Sequence, residues 1–165
     1  MLKKISKESA SLMDNIGDIV WAMKTEKEQT INVASRIRNF VSDVLGAANI
    51  QYTVHIEEGA EGLIKSMNAR RNILLIIKEA INNTLKHAQA KQVSVSIKKL
   101  GGRLLVQVAD NGKGFDSAAV TQREGLNNMR KRTEELHGIF ELSTDPGKGT
   151  TLSALFPITT ISDTI

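Results

Sequence analysis

The sequence contains no cysteine, which excludes disulfide staples and thiolate metal sites. Its three histidines, His55, His87 and His137, lie far apart. None has an HExxH-type spacing, so a zinc centre is not expected. Aromatic residues make up only 4% of the chain. A nucleic-acid surface would want more of them, on a longer basic stripe than Lys3–Lys4, Lys98–Lys99 or Arg130–Lys131–Arg132 supplies. No nucleic-acid partner is expected, and the formal net charge of +4 reads as solvated surface. Long apolar runs are missing too. The longest aliphatic stretch is ILLII, residues 73–77, far short of the ~20 residues that span a bilayer. No signal peptide opens the chain. These residues are expected to be soluble and cytoplasmic, without membrane contact of their own.

What remains is an ordinary globular composition, 41% hydrophobic and 24% charged over 165 residues. That length suits one domain with an appendage, and its core needs no staples.

Residues 2–24 read as a helix, because Ile5, Leu12, Ile16, Ile19 and Met23 recur at helical spacing. The stripe is narrow, as in a helix bundle. A second helix is expected over residues 26–48, with Ile31, Ala34, Ile37, Val41 and Leu45 on one face. Thr25 and Glu28 would form its capping box. IQYTVHIE, residues 50–57, alternates like a half-buried strand. A long helix follows over residues 68–89. QVSVSIKKL and RLLVQVAD then form a hairpin around Gly101–Gly102. Another helix, residues 126–136, is stopped by Gly138. IFELST is a strand, DPGKG a turn and TTLSALFP a closing strand, and the tail ITTISDTI reads as frayed. Strands paired beside helices predict an α+β fold: a mixed, mostly antiparallel sheet with helices on one face, preceded by an N-terminal helix.

VADNGKGFD, residues 108–116, poses the central question. Asn-Gly after an alternating run signals a hairpin turn. A hairpin needs a second strand at once, and KGFDSAAVTQRE has no period of two. What is left is a strand ending in Asp110, then Gly112 and Gly114, which allow close backbone approach to a ligand. A carboxylate at a strand end can accept from an amine such as that of adenine.

EAINNTLKHA, residues 79–88, adds Glu79, Asn83 and Lys86 at i, i+4 and i+7 on one helical face. A carboxylate and an amide oxygen one turn apart suit Mg²⁺, and a lysine beyond them suits phosphate. Taken alone, the pattern is also that of a solvated face. Gly125, at the start of the helix in EGLNNMRKRTEELHG, offers free backbone N–H groups to phosphate. PGKGTTL lacks Walker A spacing and alone reads as a turn.

In this order the four segments resemble the ATP-binding catalytic domain of two-component sensor histidine kinases, in the superfamily that includes gyrase, heat-shock chaperone and mismatch-repair ATPases. EAINNTLKHA is similar to its N box, DNGKGFD and GLNNMRKR to its first two glycine boxes, and GKGT to its last. The similarity is greatest to the subfamily with a short ATP lid and a KHA ending to the N box. It implies the two-layer α/β sandwich of the Bergerat fold. It also implies that residues 26–158 form the ATP-binding domain, residues 1–25 the C-terminal part of a dimerisation and phosphoacceptor bundle, and residues 159–165 a tail.

The resemblance implies ATP and Mg²⁺ as cofactors. Asp110 would read adenine with Thr150 in support, and Gly112 and Gly114 would pass beside the nucleotide. Asn83 would hold the metal with Glu79, Lys86 would meet phosphates, and His87 would flank them or the ribose. Gly125 and Leu126 would frame the triphosphate. Glu79, Asn83 and Lys86 would thus be the catalytic set. The implied partners are a phosphoacceptor helical domain and a response regulator, in a homodimeric parent anchored in the inner membrane. An acceptor histidine in this subfamily sits in a helix resembling R-E-L-H-D, and none of the three histidines fits. An anti-sigma-factor-type serine kinase, a hydrolytic ATPase using Glu79 as base, and a non-catalytic nucleotide-binding dimerisation module are the alternatives.

Overall fold

The computed structural model describes residues 32–116 and 124–162. The helix expected over residues 2–24, and the capping box at Thr25 and Glu28, lie outside these residues. The first described helix, α1 (Val33–Ala47), starts later than the expected residue 26. Asn32 is extended, and its side chain accepts from Ser35 N at 2.8 Å, which makes it the N-cap. The buried face is Val33, Ala34, Ile37, Val41 and Leu45, the predicted stripe from Ala34 onward.

Strand β1 (Gln51–Ile56) follows, then helix α2 (Met67–Asn83), capped by Ser66 through its hydroxyl at 3.1 Å from Ala69 N. Strands β2 (Gln92–Leu100) and β3 (Arg103–Asp110) form the expected hairpin. Gly101 and Gly102 both have positive φ, the geometry a two-residue primed turn demands. Helix α3 (Glu124–Glu135), strands β4 (Ile139–Thr144) and β5 (Thr150–Pro157) and helix α4 (Ile158–Ser162) complete the fold.

The five strands lie in the order β1-β2-β3-β5-β4. Only β1 and β2 run parallel, so the sheet is mixed and mostly antiparallel, with helices on one face. Val93, Val95, Ile97, Leu104, Val106, Val108, Leu152, Ala154 and Phe156 meet Ile37, Val41, Ile73, Ile77 and Ile81 in one core. Ser94, Lys98, Arg103 and Glu141 are exposed on the strands between. The register sets Asp110 opposite Thr150, at the end of the sheet where β2 begins.

Two sequence expectations need correction. Helix α3 ends in a left-handed residue, but that residue is His137, with φ +53, and not Gly138. His137 N and Gly138 N close back onto Glu134 O and Thr133 O at 2.9 Å each, the Schellman pattern. Gly138 is required for space, because an added Cβ would lie 2.7 Å from Leu155 O. The tail is also ordered through Ser162. Ile161 is fully buried in α4, and its carbonyl accepts from Lys65 N and Ser66 N at 2.9 and 3.0 Å. Ile161→Ala should therefore cost about 3 kcal/mol, the range for emptying a closed core site. Thermal unfolding followed by circular dichroism should show a midpoint about 10 °C lower. Among the described residues, no helix is long and apolar enough to cross a membrane.

Candidate functional site

A cavity of about 340 Å³ opens between α2, α3 and the ends of β3 and β5. Its walls are apolar: Ala80, Val108, Met129, Leu142 and Leu152. Asp110 and Thr150 supply polar atoms from the strand ends, Asn83 and His87 from the end of the long helix, and Lys113 and Gly114 from the glycine loop. An apolar slot with few convergent polar groups is the usual form of a small-ligand site.

Asp110 is the anchor. Its Oδ1 accepts from Gly112 N at 2.8 Å, and its Oδ2 lies 3.1 Å from the Thr84 hydroxyl. Thr84 is buried and its Oγ1 is also 3.2 Å from Ala80 O, so its one proton has two acceptors to choose from. The carboxylate is thus held in a fixed orientation, with lone pairs left for a ligand. Thr84 escaped the sequence reading. Its signal was a hydroxyl one turn after Ala80, on the apolar face of the helix, where burial demands a partner.

The long helix does not stay α-helical to its end. Residues Thr84–Ala88 form a π turn, closed by Gln89 in the left-handed region with φ +52. The expected shared face of Glu79, Asn83 and Lys86 assumed an unbroken period of 3.6. Past Asn83 the wider turn breaks that period. His87 lines the cavity, whereas Lys86 is exposed and does not line it. Glu79 lies behind Asn83, against the start of α3. A Cβ added to Gly125 would fall on Glu79 Oε1 and 3.4 Å from Asn83 Nδ2. Gly125 and Leu126 both line the cavity.

The glycine loop is buckled at several points. Gly112 presses on the end of the π turn, where a Cβ would overlap Ala88 O. Lys113 N donates to Ala88 O at 2.8 Å, and Lys113 O accepts from Gly147 N at 2.6 Å. Gly114, with φ +57, presses on Asp145 O, and Gly149 on Asp110 O. Phe115 N donates to Thr144 Oγ1, which also lies 3.1 Å from Thr150 Oγ1. Asn111 Oδ1 accepts from Lys91 N and Gln92 N, both at 2.9 Å. Gly112 itself does not line the cavity. Its smallness serves backbone packing, and Gly114 combines packing with a place in the wall.

The donor set suits an adenine nucleotide. One fixed acceptor at the floor of an apolar slot matches a flat base with an amino group. Lys113, His87 and the exposed Lys86 match phosphates nearer solvent. Asn83 lines the cavity with Glu79 behind it, so a hard cation such as Mg²⁺ would find an amide oxygen at the wall and a carboxylate beyond it.

Comparison with known proteins points to an ATP-binding family. Residues 68–160 match the family described as histidine kinase-, DNA gyrase B-, and HSP90-like ATPase. The chain is 28% identical over 123 residues to the sensor histidine kinase LiaS of Bacillus subtilis, covering 74% of this chain and 34% of that protein. It is 40% identical over 86 residues to the histidine-protein kinase/phosphatase DegS of Brevibacillus brevis, covering 52% and 22%. The chain thus spans about a third or less of the length of these relatives. Among solved structures, the histidine kinase domain of a blue-light activated histidine kinase from Erythrobacter litoralis superposes with a TM-score of 0.68 at 18% identity. That match covers 90% of this chain and 74% of the other, and it speaks for the fold.

Proposed function

The chain belongs to the histidine kinase-, DNA gyrase B- and HSP90-like ATPases, and we propose that it serves there as the ATP-binding catalytic domain of a sensor histidine kinase. One observation carries this reading: the doubly held carboxylate of Asp110, beneath an apolar slot lined by Asn83, His87 and Lys113. The name of the relative LiaS, a sensor histidine kinase, supports kinase over hydrolase chemistry.

In this reading Asp110 accepts from the adenine amine, supported by its cross-strand neighbour Thr150. Val108, Leu152 and Met129 exclude water around the base. Asn83 and Glu79 hold Mg²⁺, and Lys86 and Lys113 meet the phosphates while His87 flanks them. Gly125 and Leu126 frame the triphosphate from the start of α3. Mg²⁺, when bound, neutralises charge on the phosphoryl group in transfer. The chain's own part is to position, desolvate and orient. The γ-phosphoryl group passes to a histidine on a separate helical domain and then to a response-regulator aspartate, in a homodimeric, membrane-anchored parent.

The test mixes the purified chain with a histidine-bearing helical domain from such a kinase, Mg²⁺ and γ-labelled ATP. Label should appear on that domain and be lost in acid, as phosphohistidine is. Acid-stable label on serine would favour the serine-kinase alternative. Binding of a non-hydrolysable ATP analogue without any transfer would favour a non-catalytic module.

A further inference from the structure

Asn72 is polar, fully buried and in the second turn of α2. A buried amide is costly unless it is hydrogen-bonded, and this one is engaged on several sides. Its Oδ1 accepts from Arg132 Nη1 at 3.1 Å. Its Nδ2 donates to Glu135 Oε2 at 3.1 Å and to Asn68 Oδ1 at 3.0 Å. Arg132 and Glu135 both belong to α3.

These bonds fix how the two helices lie. The end of α3 meets Asn72, whereas its start, at Gly125, meets Glu79 and Asn83. The helices therefore run antiparallel. Helical side chains lean towards their own N-terminus, so Glu79 leans towards Asn72 and Arg132 towards Gly125. Burial and the neighbouring Arg71 lower the pKa of the Arg132 guanidinium from its ordinary value, while Glu135 and Glu79 oppose that shift. Buried Met129 and Leu136 hold α3 down, but apolar contact is non-directional and tolerates sliding. A buried polar contact can select one register.

We propose that Asn72 is a positioning residue for the nucleotide site. With Arg132 and Glu135 it sets the register of α3 along α2, and so keeps Gly125 seated on the Glu79–Asn83 pair. This inference rests on the nucleotide reading above. It concerns the phosphate and metal end of the site most directly, and the base only through Met129 on the same helix.

Asn72→Asp keeps the acceptor for Arg132 but sets a carboxylate against Glu135. Affinity for a non-hydrolysable ATP analogue with Mg²⁺ should fall about tenfold, and affinity for ADP, which lacks the γ-phosphate, should fall by less. Adding Glu135→Gln, whose amide can donate to the new carboxylate, should restore the ATP analogue. An equal loss for both ligands, no loss, or no rescue by the second substitution would overturn the proposal. If Asn72→Asp does not fold, Arg132→Lys reads the same selectivity, because it keeps the charge without the planar fork. Unchanged selectivity in that variant would also overturn it. A wild-type chain that binds neither ligand would overturn the nucleotide reading instead.

Discussion

Asp110→Asn should fold normally and lose roughly a hundredfold in affinity for an adenine nucleotide, about 2.7 kcal/mol. The normal folding follows from the two bonds of the side chain. An asparagine oxygen can still accept from Gly112 N, and its amide can donate to Thr84 Oγ1, whose own proton then goes to Ala80 O. The melting temperature should move by no more than about 2 °C, as for substitutions that preserve every buried bond. The ligand sees a different group. An acceptor becomes a donor facing the adenine amine, and a site built on one hydrogen bond rejects a ligand that cannot make it. Calorimetric titration with a non-hydrolysable ATP analogue, alongside thermal melting, separates the two effects. Undiminished binding would remove Asp110 from base recognition, and a large drop in melting temperature would mean that its bonds hold the fold instead.

Gly114→Ala should act in the opposite sense, on stability first. Gly114 has φ +57, and an added methyl would overlap Asp145 O and lie 2.9 Å from Gly149 O. Both neighbours are backbone, within a turn tied to the loop through Lys113 O and Gly147 N. Left-handed strain costs an alanine about 1–2 kcal/mol, and forced displacement of packed neighbours adds a further ~1–3 kcal/mol. A total of about 4 kcal/mol and a midpoint lower by more than ~10 °C are expected. Gly147→Ala is the matched control. Its φ is +81, but nothing lies within 4 Å of an added Cβ. It should lose only the conformational part, about 1 kcal/mol. Equal losses at the two positions would show that strain alone, and not the buckled loop, sets the requirement for glycine.

Much of the fold was legible in the chain because its signals are local. Alternation in QVSVSIKKL and RLLVQVAD, with two glycines between them, determined the hairpin. The Ala34–Ile37–Val41–Leu45 stripe determined the buried face of α1. Failed alternation after Gly112 argued against a hairpin there, and among the described residues no strand follows β3 until β4. What stayed hidden depends on contacts distant in sequence. The π turn at Thr84–Ala88 has no periodicity of its own, and it carries Ala88 O to Lys113 N, 25 residues further on. Lys86 falls with Glu79 and Asn83 on an unbroken period of 3.6, which the π turn interrupts after Asn83. Asn72 read as one more polar residue among the isoleucines, because its partners Arg132 and Glu135 come only with the docking of α3. The order in the tail depends likewise on Ile161 meeting the start of α2.

The Asn111–Gly112 peptide carries a last consequence, for chemical ageing. Asn-Gly is the pair most prone to deamidation, since an unhindered glycine nitrogen can swing onto the asparagine side-chain carbon and close a succinimide. Here that nitrogen is bound to Asp110 Oδ1, and the glycine is pressed against Ala88. The asparagine oxygen is drawn the other way, onto Lys91 N and Gln92 N. Nucleophile and electrophile are each held by other partners, so ring closure must wait for the loop to unbuckle. The folded protein thereby shields its most perishable bond, and deamidation at this position becomes a clock that runs only while the loop is open.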